Sequence, residues 1–179
     1  MTIRASSSRN VYENPWMSVR EDAIERADGS PGIYGVVEKP DFALVIPRDD
    51  DGGFWLVEQF RYPVGGRYWE FPQGSWESRA NVDPAELARG ELREETGLGA
   101  GTLERLGHLF GAYGYSTQGF DVWLAGGLTP GPVRRANEEQ DMRHRKFSRE
   151  RCEEMMRDGT IKDAPSIAAF GLLLLHEPK

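Results

Sequence analysis

Apolar and polar positions change rhythm along the chain. Val19–Ala27, Tyr34–Glu38, Phe42–Ile46 and Phe54–Phe60 are short runs rich in β-branched and aromatic residues. They are broken by Asp28-Gly29, Pro40, Pro47 and Asp50-Asp51-Gly52-Gly53. Such runs predict strands, with a hairpin at the aspartate-glycine cluster. The rhythm then turns helical. Asp83 suits an N-cap, Pro84 the first helical position and Glu86 the third residue of a capping box. Gly97 suits the C-terminal cap, which leaves a helix of about four turns. Leu103–Phe110 and Gly119–Ala125 predict two more strands. Ser148 can cap a helix running to Arg157 and ended by Gly159. Asp163 and Pro165 open a last helix to about Leu175, with Ile167, Phe170, Leu173 and Leu174 at helical spacing. The order predicts an α+β fold: a mixed central sheet, an N-terminal antiparallel strand region and helices packed on the sheet faces. Neither a repeat nor a linker interrupts the chain, so residues 1–179 read as one domain, with 1–40 as its N-terminal strand region.

Composition narrows the partners. The chain has 22 Lys+Arg against 29 Asp+Glu, a net charge of −7. That argues against a nucleic acid polymer, whose binders present a basic face. Small anionic ligands stay open, because a metal ion can recruit them locally. Cys152 is the one cysteine, so neither an intrachain disulfide nor a four-cysteine zinc pattern can form. The polar start, Met1–Asn10, lacks the apolar stretch of a signal peptide, and the longest apolar run, Leu172–Leu175, cannot span a bilayer. The expectation is a soluble cytoplasmic protein without a membrane partner. Trp55, Trp69, Trp76 and Trp123 read first as core, and His108, His144 and His176 lack metal-ligand spacing. The arginines at 134, 135, 143 and 145 read as solvated surface.

The chemistry concentrates between Glu70 and Leu98. Glu91 and Glu95 are four residues apart, so one helical turn sets them side by side. Like charges at that spacing cost a bare helix roughly 0.2–0.5 kcal/mol, and a divalent cation between them reverses the sign. On a helical wheel Ala85, Ala88, Leu92 and Thr96 form one stripe, with Glu91 and Glu95 at its edge and Arg89, Gly90 and Arg93 opposite. Carboxylates beside a core need a partner, and that part of the helix carries no lysine or arginine. Mg²⁺ takes hard oxygen ligands and is often held by one or two carboxylates plus substrate phosphates. Before this helix, Pro72-Gln73-Gly74 follows a strand-like Tyr68–Phe71. Gly74 permits close backbone approach, so the Gln73 backbone carbonyl is a further candidate ligand.

This segment resembles the Nudix box. Glu91, Leu92, Glu94, Glu95, Gly97 and Leu98 match the second half of that pattern at its spacing. Two features depart from it: Gly90 replaces the box arginine, which in the family orients the acids, and the stretch after Gly74 is about two residues longer, leaving Glu77 as the nearest loop glutamate. Wider stretches are similar to the ADP-ribose pyrophosphatase and nucleoside diphosphate sugar hydrolase branch. They are Leu56–Pro63, Trp69–Gly74, Asn137–Met142 and Gly159–Ala164.

The resemblance implies an α/β/α sandwich of Nudix type and hydrolysis of a diphosphate bond in a nucleoside diphosphate derivative such as ADP-ribose. The metal would be Mg²⁺, with Mn²⁺ as a substitute, held by Glu91, Glu95 and Gln73. Glu94 would assist, and Glu138, or else Glu139, would activate water. Gln140 stands where some relatives place another metal-binding acid. Arg61, Glu70 and Gln118 would contact substrate. The branch also implies a homodimer formed through the 1–40 region. Ala112–Gln118 lacks the proline and acid that the branch places after the box, and its tyrosines are reminiscent of relatives acting on dinucleoside polyphosphates. A nucleotide-binding sensor with weakened catalysis is the third reading, motivated by Gly90.

Overall fold

The computed structural model describes residues 3–76, 82–133 and 141–177. Three antiparallel strands come first: β1 (Arg4–Asn14), β2 (Met17–Glu25) and β3 (Pro31–Glu38), in the order β1-β2-β3. A four-stranded mixed sheet follows the order β7-β4-β9-β8. It contains β4 (Phe42–Pro47), β7 (Gln73–Gly74), β8 (Leu98–Phe110) and β9 (Gly119–Pro130). β4 and β9 run parallel, and the other two pairings are antiparallel. A third sheet, β10-β5-β6, joins β5 (Phe54–Arg61), β6 (Gly66–Glu70) and β10 (Arg143–Phe147). The helices are α1 (Pro84–Thr96), α2 (Arg149–Arg157) and α3 (Ala164–His176).

β4 explains the layering. Side chains alternate across a strand, and in β4 both faces are buried. Ala43 and Val45 pack with Ala88 and Leu92 of α1. Leu44 and Ile46 belong to the other cluster, with Cys152 and Met155 of α2 and Phe170 and Leu173 of α3. The sheet is therefore covered by α1 on one face and by α2 and α3 on the other, as the α/β/α expectation requires.

The predicted caps form. Asp83 accepts from the Ala85 and Glu86 amides, Ser148 from the Arg151 amide and Asp163 from the Ser166 amide. Gly97, at φ 74°, closes α1 in the left-handed region that favours glycine. Two strands depart from the sequence reading. β1 is almost wholly exposed, so no apolar alternation announces it. β10 occupies Arg143 and Arg145, read as loose surface, and pairs with β5 through Arg143↔Glu58 to Phe147↔Phe54. β8 also starts at Leu98, directly after α1. Among the described residues no helix is long and apolar enough to cross a membrane.

Candidate functional site

The site is built around the short stretch from Phe71 to Trp76, which leaves β6, pairs briefly with β4 and then lies along α1. Phe71 is fully buried and packs edge-on to Phe54, with ring centroids 6.1 Å apart. Its amide donates to the Ser166 Oγ at 2.9 Å. The Val45 amide donates to the Pro72 carbonyl at 2.9 Å. Gln73 is held twice: its side chain donates to Asp163 Oδ2 at 3.0 Å, and its amide to Glu95 Oε2 at 3.2 Å. The same Asp163 oxygen caps α3 through the Ser166 amide at 2.9 Å. The start of α3 thus holds one side of this loop and the acids of α1 the other.

The wheel reading of α1 holds for its acids and arginines, whereas Gly90, placed with Arg89 and Arg93, is half-buried against Trp76. Glu91 is 5% exposed and Glu95 fully buried, beside Ala88, Leu92 and Thr96; Arg89 and Arg93 face outward. Glu94 is half-buried. Gly74 is what lets Glu91 sit there, since a Cβ on Gly74 would run into the Glu91 carboxylate, 2.7 Å from its Cδ. Arg89, opposite the acids, donates to the Ala100 carbonyl at 2.7 Å.

Arg61 and Glu70 form the third component. The guanidinium donates to both carboxylate oxygens of Glu70, with Nε to Oε2 at 3.1 Å. Gln59 adds a side-chain donor to Glu70 Oε1 at 2.7 Å. Glu70 is 1% exposed, whereas the Arg61 side chain is 41% exposed. Burial pushes the Glu70 carboxyl above its ordinary range, opposed by Arg61 and Gln59. Burial works against the Arg61 charge, but Glu70 outweighs it, helped by Asp163 and Glu95. The guanidinium therefore stays charged, and its field reaches Glu95. The geometry makes Glu70 the anchor of Arg61, with both oxygens engaged and turned away from solvent.

Gln118, three residues before Asp121, lies where β9 begins, and Asp121 pairs with Ala43, which pairs in turn with Gly74. Its side chain donates to the Pro40 carbonyl at 2.8 Å. Glu138, Glu139 and Gln140, like Glu77, lie outside the described residues. Sequence reasoning missed Gln59, Asp163 and Ser166 as parts of the site. Asp163 was legible only as a helix cap, and nothing local announced its second partner.

The residues fit a divalent cation. Two buried carboxylates one turn apart repel unless a positive charge intervenes, and Gly74 leaves the loop backbone against one of them. Among the described residues no three His, Cys, Asp or Glu side chains form a ligand group. Two carboxylates are nonetheless the complement that Mg²⁺ combines with substrate phosphates. A separate cleft of about 730 Å³ lies beside the β4–β5 turn and the start of α2. Its cations are already paired: Lys146 with Asp49 and Asp51, and Arg48 and Arg149 with Glu177. It is a poorer place for a phosphate than the Arg61 side of the acidic helix.

Comparison with known proteins agrees with this architecture. Residues 38–167 match the model of the NUDIX domain, and residues 4–37 that of the nucleoside diphosphate sugar hydrolase N-terminal domain. The chain is 32% identical over 171 residues to an ADP-ribose pyrophosphatase of Mycobacterium tuberculosis, covering 95% of this chain and 81% of that protein. It is 23% identical over 172 residues to an ADP-ribose pyrophosphatase of Bacillus subtilis, covering 96% and 92%. A crystal structure of an ADP compounds hydrolase superposes with a TM-score of 0.82 at 19% identity, covering 97% of this chain and 92% of that one; this likeness speaks to the fold.

Proposed function

The chain belongs to the NUDIX family and is a pyrophosphohydrolase, and from that premise we propose that it hydrolyses the diphosphate bond of ADP-ribose or a similar nucleotide sugar with Mg²⁺. The products are a nucleoside monophosphate and a second phosphorylated fragment. The observation that carries this reading is the pair of buried acids, Glu91 and Glu95, with the loop backbone pressed against one of them. Two relatives that match nearly the whole chain bear the name ADP-ribose pyrophosphatase, which favours that substrate.

In the proposed mechanism Glu91 and Glu95 hold the cation, with the Gln73 carbonyl as a further ligand and Glu94 assisting. Bound there, Mg²⁺ or Mn²⁺ supplies Lewis-acid polarisation of the phosphate oxygens. Arg61, splinted by Glu70, offers a fork of donors to the phosphate that is not attacked. Water attacks one phosphorus, the bridging P–O bond breaks, and Glu138 or Glu139 takes the proton. Gln118 contacts the substrate end nearest β9. Tyr113 and Tyr115, 85% and 61% exposed in the segment before β9, favour a dinucleoside polyphosphate as the second candidate.

We further propose a cytoplasmic homodimer, organised as one catalytic domain whose 1–40 region makes the dimer contact. Ile33 at 68%, Trp16 at 55% and Tyr12 at 52% exposure leave apolar surface on that sheet for a second copy to cover.

The test is purified protein with Mg²⁺ against ADP-ribose, nucleotide sugars and dinucleoside polyphosphates, with Glu95→Gln as control. The substitution should keep the fold and lower kcat about 100-fold or more, the scale of losing a major electrostatic stabiliser. Normal turnover in a folded Glu95→Gln protein would remove Glu95 from the mechanism. Nucleotide binding without turnover across the panel would favour the sensor.

A further inference from the structure

Gly90 sits in the interior of α1, where glycine is a poor helix former beside alanine. Its backbone is helical and needs no left-handed freedom, so what the missing side chain provides is space. That space holds the Trp76 indole. A Cβ on Gly90 would run into Trp76 Cζ2 and lie 2.6 Å from Cη2 and 3.2 Å from Cε2. Trp76 is half-buried, and among the described residues it lies outside the two hydrophobic core clusters.

The contact completes a sequence along the helix. The Gln73 amide meets Glu95, Gly74 meets the Glu91 carboxylate, and Trp76 meets Gly90. From Gln73 to Trp76 the loop therefore runs back along α1, bringing a large aromatic onto the position one residue before Glu91. The Gln73–Glu95 contact is a hydrogen bond, and a small rotation of the loop would lengthen it. An indole against bare helix backbone adds an apolar stop to that rotation, because its large surface has to return to water if the loop lifts.

We propose that Trp76 is a positioning residue: its indole, received by Gly90, clamps the Gln73–Trp76 loop onto α1 and so fixes Glu91 and the facing loop backbone in the arrangement that holds a divalent cation. The inference rests on the reading that Glu91 and Glu95 carry that cation. It makes Gly90 the receiving half of a pair whose other half is an aromatic fourteen positions earlier.

The test uses the full chain with three variants, Gly90→Ala, Trp76→Leu and the double substitution. Mn²⁺ alone is titrated by electron paramagnetic resonance, and thermal unfolding is followed in parallel. Gly90→Ala should weaken Mn²⁺ binding about tenfold although alanine is the better helix former. Trp76→Leu should weaken it comparably with the fold intact. In the double variant the smaller leucine leaves room for the methyl, and Mn²⁺ affinity should recover at least threefold relative to Gly90→Ala.

Wild-type Mn²⁺ affinity in Trp76→Leu would overturn the proposal, as would a double variant no better than Gly90→Ala. If Gly90→Ala does not fold, Trp76→Leu decides alone. The Mg²⁺ concentration giving half-maximal turnover should rise in the same variants, a shift that loss of fold stability alone does not produce. A wild-type protein that hydrolyses nothing in the panel, yet loses Mn²⁺ affinity in these variants, would fail the proposed function and keep this inference. A wild-type protein that binds no Mn²⁺ would overturn both.

Discussion

The N-terminal sheet and the sheet built on β4 are held together by different physics. In β4, residues 43–46 are at most 1% exposed, and both faces are spent on the chain's own helices. In β1 every residue but the last is exposed. Its order comes from the backbone ladder to β2 and from polar pairs such as Arg9–Glu21 at 2.8 Å and Ser8–Asp22 at 2.5 Å. Exposed ion pairs contribute about 0–1 kcal/mol, far less than burial of a phenylalanine. The N-terminal sheet docks chiefly through the backbone, with the Val37 amide on the Tyr115 carbonyl and the Thr117 amide on the Val37 carbonyl, at 2.7 and 3.0 Å. One region buries its apolar side chains within the chain; the other leaves Tyr12, Trp16 and Ile33 exposed.

Substitutions should expose this contrast. Phe71→Ala removes a fully buried ring next to Phe54 and should cost about 3–5 kcal/mol in urea unfolding; a loss below about 1 kcal/mol would show that the body tolerates a cavity there. Glu70→Ala strips Arg61 of its counter-charge. Since Arg61 is partly in water, the expected loss is about 1–3 kcal/mol, with KM rising as the guanidinium loses its splint. In the other region, Ile33→Ser should change the chain's own stability by less than about 0.5 kcal/mol. It should nevertheless shift sedimentation toward the monomer, and an unchanged dimer would detach Ile33 from the contact. The smallest effect belongs to Cys152, whose thiol burial pushes up to about 11. At pH 8 it should stay neutral and unlabelled by a maleimide until the body unfolds, because the reactive thiolate forms only as pH approaches the raised value. Rapid labelling of folded protein would mean that the core opens.

The acidic helix was readable in advance because the signals that form α1 and turn Glu91 and Glu95 toward the core are local: a cap at Asp83, a glycine at 97 and a stripe of period 3.6. Their burial follows from that stripe. β1 was not readable, since its polar residues line no core and its pairing is a matter of backbone alone. β10 escaped for the opposite reason. Its basic residues look like free surface, yet their backbone completes the edge of β5. The supports of the loop were hidden by distance along the chain, because Asp163 and Ser166 reach Gln73 and Phe71 only after the fold closes. Gly90 read as a missing arginine, and its fit to Trp76 arises only when the loop folds back onto α1. The late glutamates, Glu138 and Glu139, rest on the resemblance.

The two bonds from α3 to the loop span 95 and 90 positions of sequence. A ribosome adding about 5–20 residues per second therefore needs roughly 5–20 s between finishing Gln73 and finishing Asp163. Over that interval the Gln73 amide can find Glu95, but its side chain and the Phe71 amide have no α3 to meet. The loop geometry proposed to hold a cation is thus a late event in the life of each molecule, completed by α3, and a nascent chain stalled before Asp163 carries Glu91 and Glu95 without the bonds that hold the loop facing them.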